Sequence, residues 1–333
     1  MQKLDVSIVG CGLIGVKRAL ALNNAKFKLK SCFDTNINNA IKFSKKFNIT
    51  YAENINEILN DNSINVIIIA TQHNTLSELT LSSLKAGKNV LVEKPAGKFF
   101  KELEPVLDFL KNTSLKVKVG FNHRYHRAFL KANELIKNKT IGELMFIRSR
   151  YGHGGRIGYE KEWRSTPEIS GGGELIDQGA HIIDLCRMYL GDFIDISGHA
   201  QTLYWNAPVD DNAFVILKNN KDQTAFFQVS STEWKNMFSF EIYGRNGKID
   251  INGLGGSYGL EKITLYKMLP EMGPPETYSW EYPMPDNSWE FELNEFYDEI
   301  INDKIVKGNI KDAYEMLKIV DKIYRNSKYD FCS

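Results

Sequence analysis

One stretch, DVSIVGCGLIGVKRALAL (residues 5–22), constrains the fold more than any other. A β-branched run ends in Gly10, Gly12 and Gly15, and a helical pattern begins at once. In this spacing the first glycine permits a tight turn, and the second lets the backbone approach a pyrophosphate. The third allows close packing of helix on strand, while Leu13 and Ile14 open a helix whose N-terminus faces the phosphates. Glycine-rich turns are common, so the spacing alone says little. Here Asp34 follows at the end of the next strand pattern, LKSCF, at about the 20 residues a dinucleotide fingerprint requires. A carboxylate there accepts from a ribose 2′-hydroxyl and repels a 2′-phosphate. Thr35 and Asn36 supply no arginine for such a phosphate. The sequence therefore predicts NAD, in preference to NADP, as cofactor. A structural turn with a capping aspartate is the plainer account, but it leaves the strand–turn–helix context unexplained.

The alternation continues through Phe121. NVIIIAT, NVLVEK and KVKVGF read as further strands, separated by amphipathic stretches such as TLSELTLSSLKAG. Val66–Ala70 and Val90–Val92 are apolar on both faces, as in parallel strands covered by helices on two sides. An α/β doubly wound sheet, a Rossmann domain over residues 1–121, is expected. Beyond Asn122 the pattern changes to ELMFIRSRY, IDISGHAQTLYW, NAFVILK, TAFFQVSS, FSFEIYG, GKIDIN and KITLYK, with turn signals such as Asn246-Gly247. These predict an α+β domain over residues 122–333 with a large, mainly antiparallel sheet. Helices are expected at about residues 127–137, 175–189, 289–301 and 310–324. The proline-rich MLPEMGPPETYSWEYPMP reads as a loop or edge excursion.

With 333 residues the chain is long enough for both domains. A net charge of +1 gives no reason to expect nucleic acid or an anionic membrane as partner. No apolar run approaches the roughly 18 residues of a membrane span. MQKLDVSIVG enters a strand without the pattern of a signal peptide. Cys11, Cys32, Cys186 and Cys332 form neither a CxxC pair nor a disulfide framework. A cytoplasmic protein is expected.

Two further motifs carry chemistry. VEKPAG places Glu93 and Lys94 at the carboxyl end of a strand, where ligands bind in open α/β sheets. A lysine there donates a hydrogen bond to a substrate oxygen or serves as a base; the plainer account is a solvated side chain. GGGELIDQGAH (residues 171–181) sets Asp177 and His181 one turn apart on a predicted helix, with Asp184 near the same stripe. As metal ligands this set lacks a strong further donor nearby, and no metal is predicted. A capped helix with a core histidine is the default in an arbitrary sequence. Beside a nicotinamide, acid–base work accounts for more. Oxidising an alcohol removes its hydroxyl proton as hydride leaves the carbon, and imidazole titrates in the range that suits a base. On this reading His181 is the main base, and Lys94 is an electrophile or proton partner in the same relay. Asp177 orients the ring or holds another hydroxyl. Gly171–Gly173 let the backbone pass close to nicotinamide or substrate.

These motifs resemble the Gfo/Idh/MocA oxidoreductases, which include sugar, inositol and nucleotide-sugar dehydrogenases. GCGLIG, VEKPAG, GFNHRY and WRSTPEISGGGELIDQGAHIID stand in the family's order over residues 8–184. The resemblance implies that Lys94, Asp177 and His181 line the active site. It implies cofactor contacts from Glu93 and from Thr71, Gln72, His73 and Asn74, and substrate contacts from Arg124, Trp163 and Arg164. It also implies a homodimer or homotetramer built through one face of the second sheet. Two departures stand out. Thr71-Gln72-His73 followed by Leu76 replaces a common TPN with a His two residues on, and Thr166 stands where an Asp often precedes the proline.

The stretch YGHGGRIGYEKEWRSTPEIS supplies His153, Arg156, Tyr159, Lys161, Trp163 and Arg164 in a glycine-rich loop. Basic and aromatic groups of this kind suit a substrate with a phosphate or carboxylate and a ring to stack on, against the plainer account of a solvated loop. The expectation is an NAD-dependent dehydrogenase acting on a secondary alcohol of a sugar or a nucleotide-activated sugar. The alternatives are an inositol or other polyol dehydrogenase, an enzyme with tightly held NAD doing sugar oxidoreduction or glycosidase chemistry, and a non-enzymatic NAD-sensing regulator. A regulator has no need of Lys94, Asp177 and His181 together.

Overall fold

A computed structural model describes residues 2–271, 273–329 and 331; Cys332 lies outside the described residues. The chain divides into two compact units. One holds the chain up to Phe121 together with Trp289–Tyr314, and the other holds Asn122–Ser288 and the chain from Glu315 onward.

The first unit is built on six parallel strands: β1 (Leu4–Val9), β2 (Phe27–Phe33), β3 (Thr50–Tyr51), β4 (Val66–Ile69), β5 (Asn89–Glu93) and β6 (Val117–Gly120). Their order is β3-β2-β1-β4-β5-β6. The order reverses between β1 and β4, the point at which doubly wound sheets bind their ligands. Helices α1 (Leu13–Leu20), α2 (Ile37–Phe47), α3 (Ile55–Asn60), α4 (His73–Lys85) and α5 (Glu104–Leu110) connect the strands. All four residues of β4 are buried, as its unbroken apolar run requires of a strand covered on both faces. The two-residue edge strand β3 has no hydrophobic run to announce it.

The second unit carries eight strands: β7 (Leu144–Gly152), β8 (Phe193–Gln201), β9 (Asn212–Asn219), β10 (Thr224–Ser230), β11 (Met237–Gly244), β12 (Gly247–Asn252), β13 (Glu261–Lys267) and β14 (Glu276–Tyr282). Their order is β14-β13-β12-β11-β7-β10-β9-β8, antiparallel except between β7 and β10. The edge strand β14 occupies part of the proline-rich stretch. Helices α6 (Arg127–Lys137), α7 (Pro167–Ser170), α8 (Glu174–Asp177) and α9 (Gly179–Leu190) follow or interleave, and α9 packs on β7 and β10. Along β9, Ala213, Val215 and Leu217 are buried while Phe214, Ile216 and Lys218 are exposed, the period of two of a strand with one covered face. The open face holds a cavity of about 740 Å3 lined by residues including Arg148, Arg150, Phe214 and Phe226.

Two helices close the chain, α10 (Ser288–Ile301) and α11 (Ile310–Asn326). Residues 289–314 were expected with the second domain but belong to the first unit. Burial explains why. Leu293, Phe296 and Tyr297 join the core that contains Phe27, and two buried cations need the carboxylates of α10. Arg18 meets Glu292 at 2.5 Å, and the Lys118 ammonium meets Glu299 at 2.9 Å. A charge taken out of water must have a partner. Among the described residues no helix is long and apolar enough to cross a membrane.

Candidate active site

The three glycines of GCGLIG have different reasons to be there. Gly10 has φ +97°, and a Cβ on it would lie 2.4 Å from the Ala70 carbonyl oxygen. A Cβ on Gly15 would lie 2.0 Å from the Gly10 carbonyl oxygen. Both positions are closed by the fold itself. Gly12, the N-cap of α1, has φ −73° and nothing within 4 Å of where a Cβ would stand. Open space at a helix N-terminus is the cradle a pyrophosphate needs, so these residues fit a dinucleotide. Leu13 and Ile14 form the first turn of α1 behind it. Half-buried Asp34, at the end of β2, accepts from the Cys11 and Asn36 N–H groups, both at 2.8 Å, which fixes its carboxylate beside the loop.

At the end of β4, Gln72 stands at the N-terminal boundary of α4 without a side-chain cap; Gln72 and Asn74 are exposed, Thr71 is half-buried and His73 is buried. At the end of β5, Glu93 is buried and accepts from Arg18 Nε at 2.6 Å, and Lys94 is half-buried. The Lys94–Pro95 peptide is cis, and Ala96 turns with φ +72°.

In the second unit the single helix expected at residues 175–189 is two. The chain breaks at Gln178, whose carbonyl accepts from the His181 N–H at 3.2 Å, so Asp177 ends α8 and His181 sits in the first turn of α9. Buried Asp177 accepts from Arg164 Nε at 2.9 Å. Buried His181 stacks on His123, with centroids 3.7 Å apart and planes at 15°. Arg124, expected at the substrate, clamps the buried carboxylate of Asp184 through two bonds of 2.7 and 2.5 Å. Asp184 is therefore tied to that clamp rather than offered as a ligand.

His123 and Tyr151 were not singled out in the sequence. His123 lies in GFNHRY beside the arginine that drew notice, and its Nε2 is 3.3 Å from the Tyr151 hydroxyl. Burial holds that hydroxyl protonated far above its ordinary range.

The triple glycine also has another reason than closeness to nicotinamide or substrate. A Cβ on Gly173 would lie 1.9 Å from the Asp210 carbonyl oxygen, and one on Gly172 would lie 2.2 Å from the Tyr324 hydroxyl. The buried Asp210 carboxylate accepts from the Gly173 and Leu175 N–H groups, both at 2.8 Å, and from the Tyr324 hydroxyl at 2.7 Å. Burial pushes its carboxyl up to about 6 against the pull of those donors. The glycines admit an anchor that sets where α8, and with it Asp177, begins.

The loop from His153 to Arg164 is matched in charge. Arg156 pairs with Glu162 at 2.6 Å, Arg164 with Asp177, and His153 Nε2 stands 3.3 Å from Glu174. Burial opposes a proton on His153, but Glu174 and Asp177 outweigh it and raise its pKa. Fully buried Glu174, unnoticed between the glycines and Asp177, also accepts from the Tyr159 hydroxyl at 2.5 Å. The Arg164 guanidinium lies 4.5 Å over the Trp163 ring, and Lys161 is exposed. Tyr159 continues into an aromatic row through Trp205 (5.5 Å), Tyr204 (5.1 Å) and Trp234 (4.7 Å). Among the described residues, no group of three or more His, Cys, Asp or Glu could hold a metal.

A sheet with this strand order, an open glycine at a helix N-terminus and a fixed carboxylate at the end of β2 define a dinucleotide-binding protein with a second, sheet-based unit. Residues 4–121 match the family model of oxidoreductases with an NAD-binding Rossmann fold, and residues 129–250 match that of the GFO/IDH/MocA C-terminal domain. The chain belongs to the GFO/IDH/MocA family and is an NAD-binding oxidoreductase. It is similar to levoglucosan dehydrogenase of Pseudarthrobacter phenanthrenivorans, 23% identical over 289 residues, which cover 76% of this chain and 74% of the relative. It is similar to myo-inositol 2-dehydrogenase of Thermotoga maritima, 25% identical over 262 residues, with coverage of 76% and 74%. A solved levoglucosan dehydrogenase in complex with NADH shares the fold at a TM-score of 0.88 and 21% identity, covering 98% of this chain and 97% of that one.

Proposed function

We propose that this oxidoreductase takes hydride reversibly from a secondary alcohol of a neutral sugar or polyol. The observation that carries the reading is the charge matching of the substrate loop: Arg164 with Asp177, Arg156 with Glu162, His153 beside Glu174. An anionic substrate has to break such pairs, whereas a neutral sugar hydrogen-bonds to them as they stand. This moves the substrate away from nucleotide-activated sugars. Bound NAD supplies the hydride acceptor. His181 takes the hydroxyl proton, Lys94 donates a hydrogen bond to a substrate oxygen, and Asp177 with Arg164 holds a hydroxyl. Gly10, Gly12, Leu13, Ile14, Gly15, Asp34, the Thr71–Asn74 turn and Glu93 bind the cofactor. The exposed apolar side chains Phe214, Ile216 and Phe226 support contact with a second copy of the chain through the open sheet face.

The test is a panel of neutral sugars, polyols, sugar phosphates and nucleotide sugars followed by NADH absorbance. NADH should appear with a neutral member. His181→Ala and Lys94→Ala should each cut turnover at least about 100-fold while NAD affinity stays within about twofold. Turnover confined to anionic substrates overturns the proposal, and near-normal turnover in either variant removes that residue's role.

A further inference from the structure

Arg18 of α1 has no exposed side-chain surface, yet it is always charged. Its Nε meets Glu93 at 2.6 Å, its Nη1 meets Glu292 at 2.5 Å, and its guanidinium lies 4.4 Å over the Trp289 ring. The Glu292 side chain is equally buried. Gly120, in register with Glu93 across β5 and β6, makes the room: a Cβ there would meet Arg18 Nη2 at 2.5 Å and the Glu93 carboxylate at 3.0 Å. All of these residues belong to the first unit.

Two carboxylates share one cation, and burial pushes the Glu292 carboxyl up. Such a cluster is a poor stabiliser, because apolar residues of similar volume often serve a core as well or better. It does fix one carboxylate in one place. A guanidinium held by Glu292 and by an indole cannot swing, so Glu93 keeps a single orientation, and Lys94 is the next residue. In a doubly wound sheet a dinucleotide lies across the switch point; with its adenosine ribose at Asp34, just past the end of β2, its nicotinamide half would run toward β4 and β5.

We infer that Arg18 and Glu292 are positioning residues, which hold Glu93 and Lys94 for the nicotinamide half of the cofactor. This rests on the proposed cofactor role of Glu93 and Lys94. The test compares binding of NADH and of ADP-ribose, which lacks the nicotinamide, together with thermal melts. Arg18→Met/Glu292→Met leaves Glu93 without its cation, so the melting temperature should fall, by roughly 5–10 °C, and binding is measured well below it. The Kd for NADH should rise about tenfold or more, while that for ADP-ribose stays within about twofold. A purely structural role moves both ligands together or neither, and either result overturns the inference. If the double variant does not fold, Glu292→Gln keeps the volume and one hydrogen bond. It should weaken NADH about threefold and leave ADP-ribose unchanged, and parallel losses there overturn the inference equally. Glu93→Gln separates the two levels. If it leaves the NADH to ADP-ribose ratio at the wild-type value, the placement of Glu93 at the nicotinamide is wrong. If it changes the ratio and the double variant does not, only the role of Arg18 and Glu292 falls.

Discussion

Gly12→Ala separates what the fold demands of GCGLIG from what the cofactor demands. The backbone at Gly12 has φ −73°, which alanine adopts freely, and no atom lies within 4 Å of the new methyl. Alanine is a poorer N-cap than glycine by a few tenths of a kcal/mol up to about 1. Lower entropy of the unfolded chain offsets about 0.4–1 kcal/mol of that. The protein without cofactor should therefore melt within about 3 °C of wild type. Binding is another matter, because the methyl occupies the space through which a pyrophosphate reaches the N-terminal amides of α1. Losing one charge-assisted hydrogen bond costs about 1.5–3 kcal/mol, or about ten- to 150-fold in Kd. NADH fluorescence titration and thermal melts of the same preparation measure both quantities. An unchanged Kd with an unchanged melting temperature would show that no phosphate approaches Gly12. A fall in melting temperature of more than about 6 °C would show that the space is not open.

Three further outcomes follow from the same geometry. Asp34→Ala should weaken NAD about tenfold and relax discrimination against NADP by a similar factor, measured as the two Kd values; an unchanged preference removes Asp34 from cofactor selection. Gly173→Ala sets a methyl 1.9 Å from the Asp210 carbonyl oxygen, backbone against backbone. The required shift breaks the two amide bonds to the Asp210 carboxylate, at about 1.5–3 kcal/mol each, so denaturant melts should show a loss of about 3–6 kcal/mol, and a loss below about 1 refutes the anchor. Asp210 itself titrates at about 6 when folded. An unfolded Asp titrates near 3.9, so as pH rises from about 4 through 6 the folded state ionises later and loses about 3 kcal/mol from this group. Asp210→Asn lacks that slope. The stability of wild type relative to the variant should fall between pH values of about 4 and 7, and a constant difference contradicts the assignment.

The parts of this chain that were legible in sequence are those whose cause is local. The apolar run at Val66–Ile69 has to be a parallel strand between two helical layers, and the period of two along β9 has to be a strand with one covered face. GCGLIG and Asp34 carry a fixed spacing. What escaped depends on contacts distant in the chain. An amphipathic helix at residues 289–301 does not announce which core it enters; the buried charges of Arg18 and Lys118 decide that. Arg124 in GFNHRY reads as a basic residue for a substrate, and nothing in the sequence shows that its Nε and Nη2 both bond Asp184, sixty residues on. The partner of Asp177 is thirteen residues earlier, in a loop whose sequence shows basic groups but not their pairing. Glycines are the clearest case. In sequence Gly12 and Gly173 are alike, yet one faces open space and the other a carbonyl oxygen at 1.9 Å.

Two of the motifs proposed to meet the cofactor or substrate are backed by buried charged groups. Behind VEKPAG stands Arg18 with Glu292; behind GGGELIDQGAH stand Arg124 with Asp184 and Asp210 with Tyr324. Burying such groups is a poor source of stability, since each must recover its lost hydration through well-aimed partners. What it yields is direction, because a bidentate guanidinium or a carboxylate with three donors allows one arrangement where an apolar contact allows several. Hydride and proton transfer need reacting atoms held to fractions of an ångström, so that selectivity is worth more to turnover than to folding. Replacing Arg124 and Asp184 together by apolar residues of equal volume should therefore leave the melting temperature nearly unchanged and still lower kcat, whereas removing Arg124 alone, or Asp210, leaves buried polar groups unpaired and should lower both.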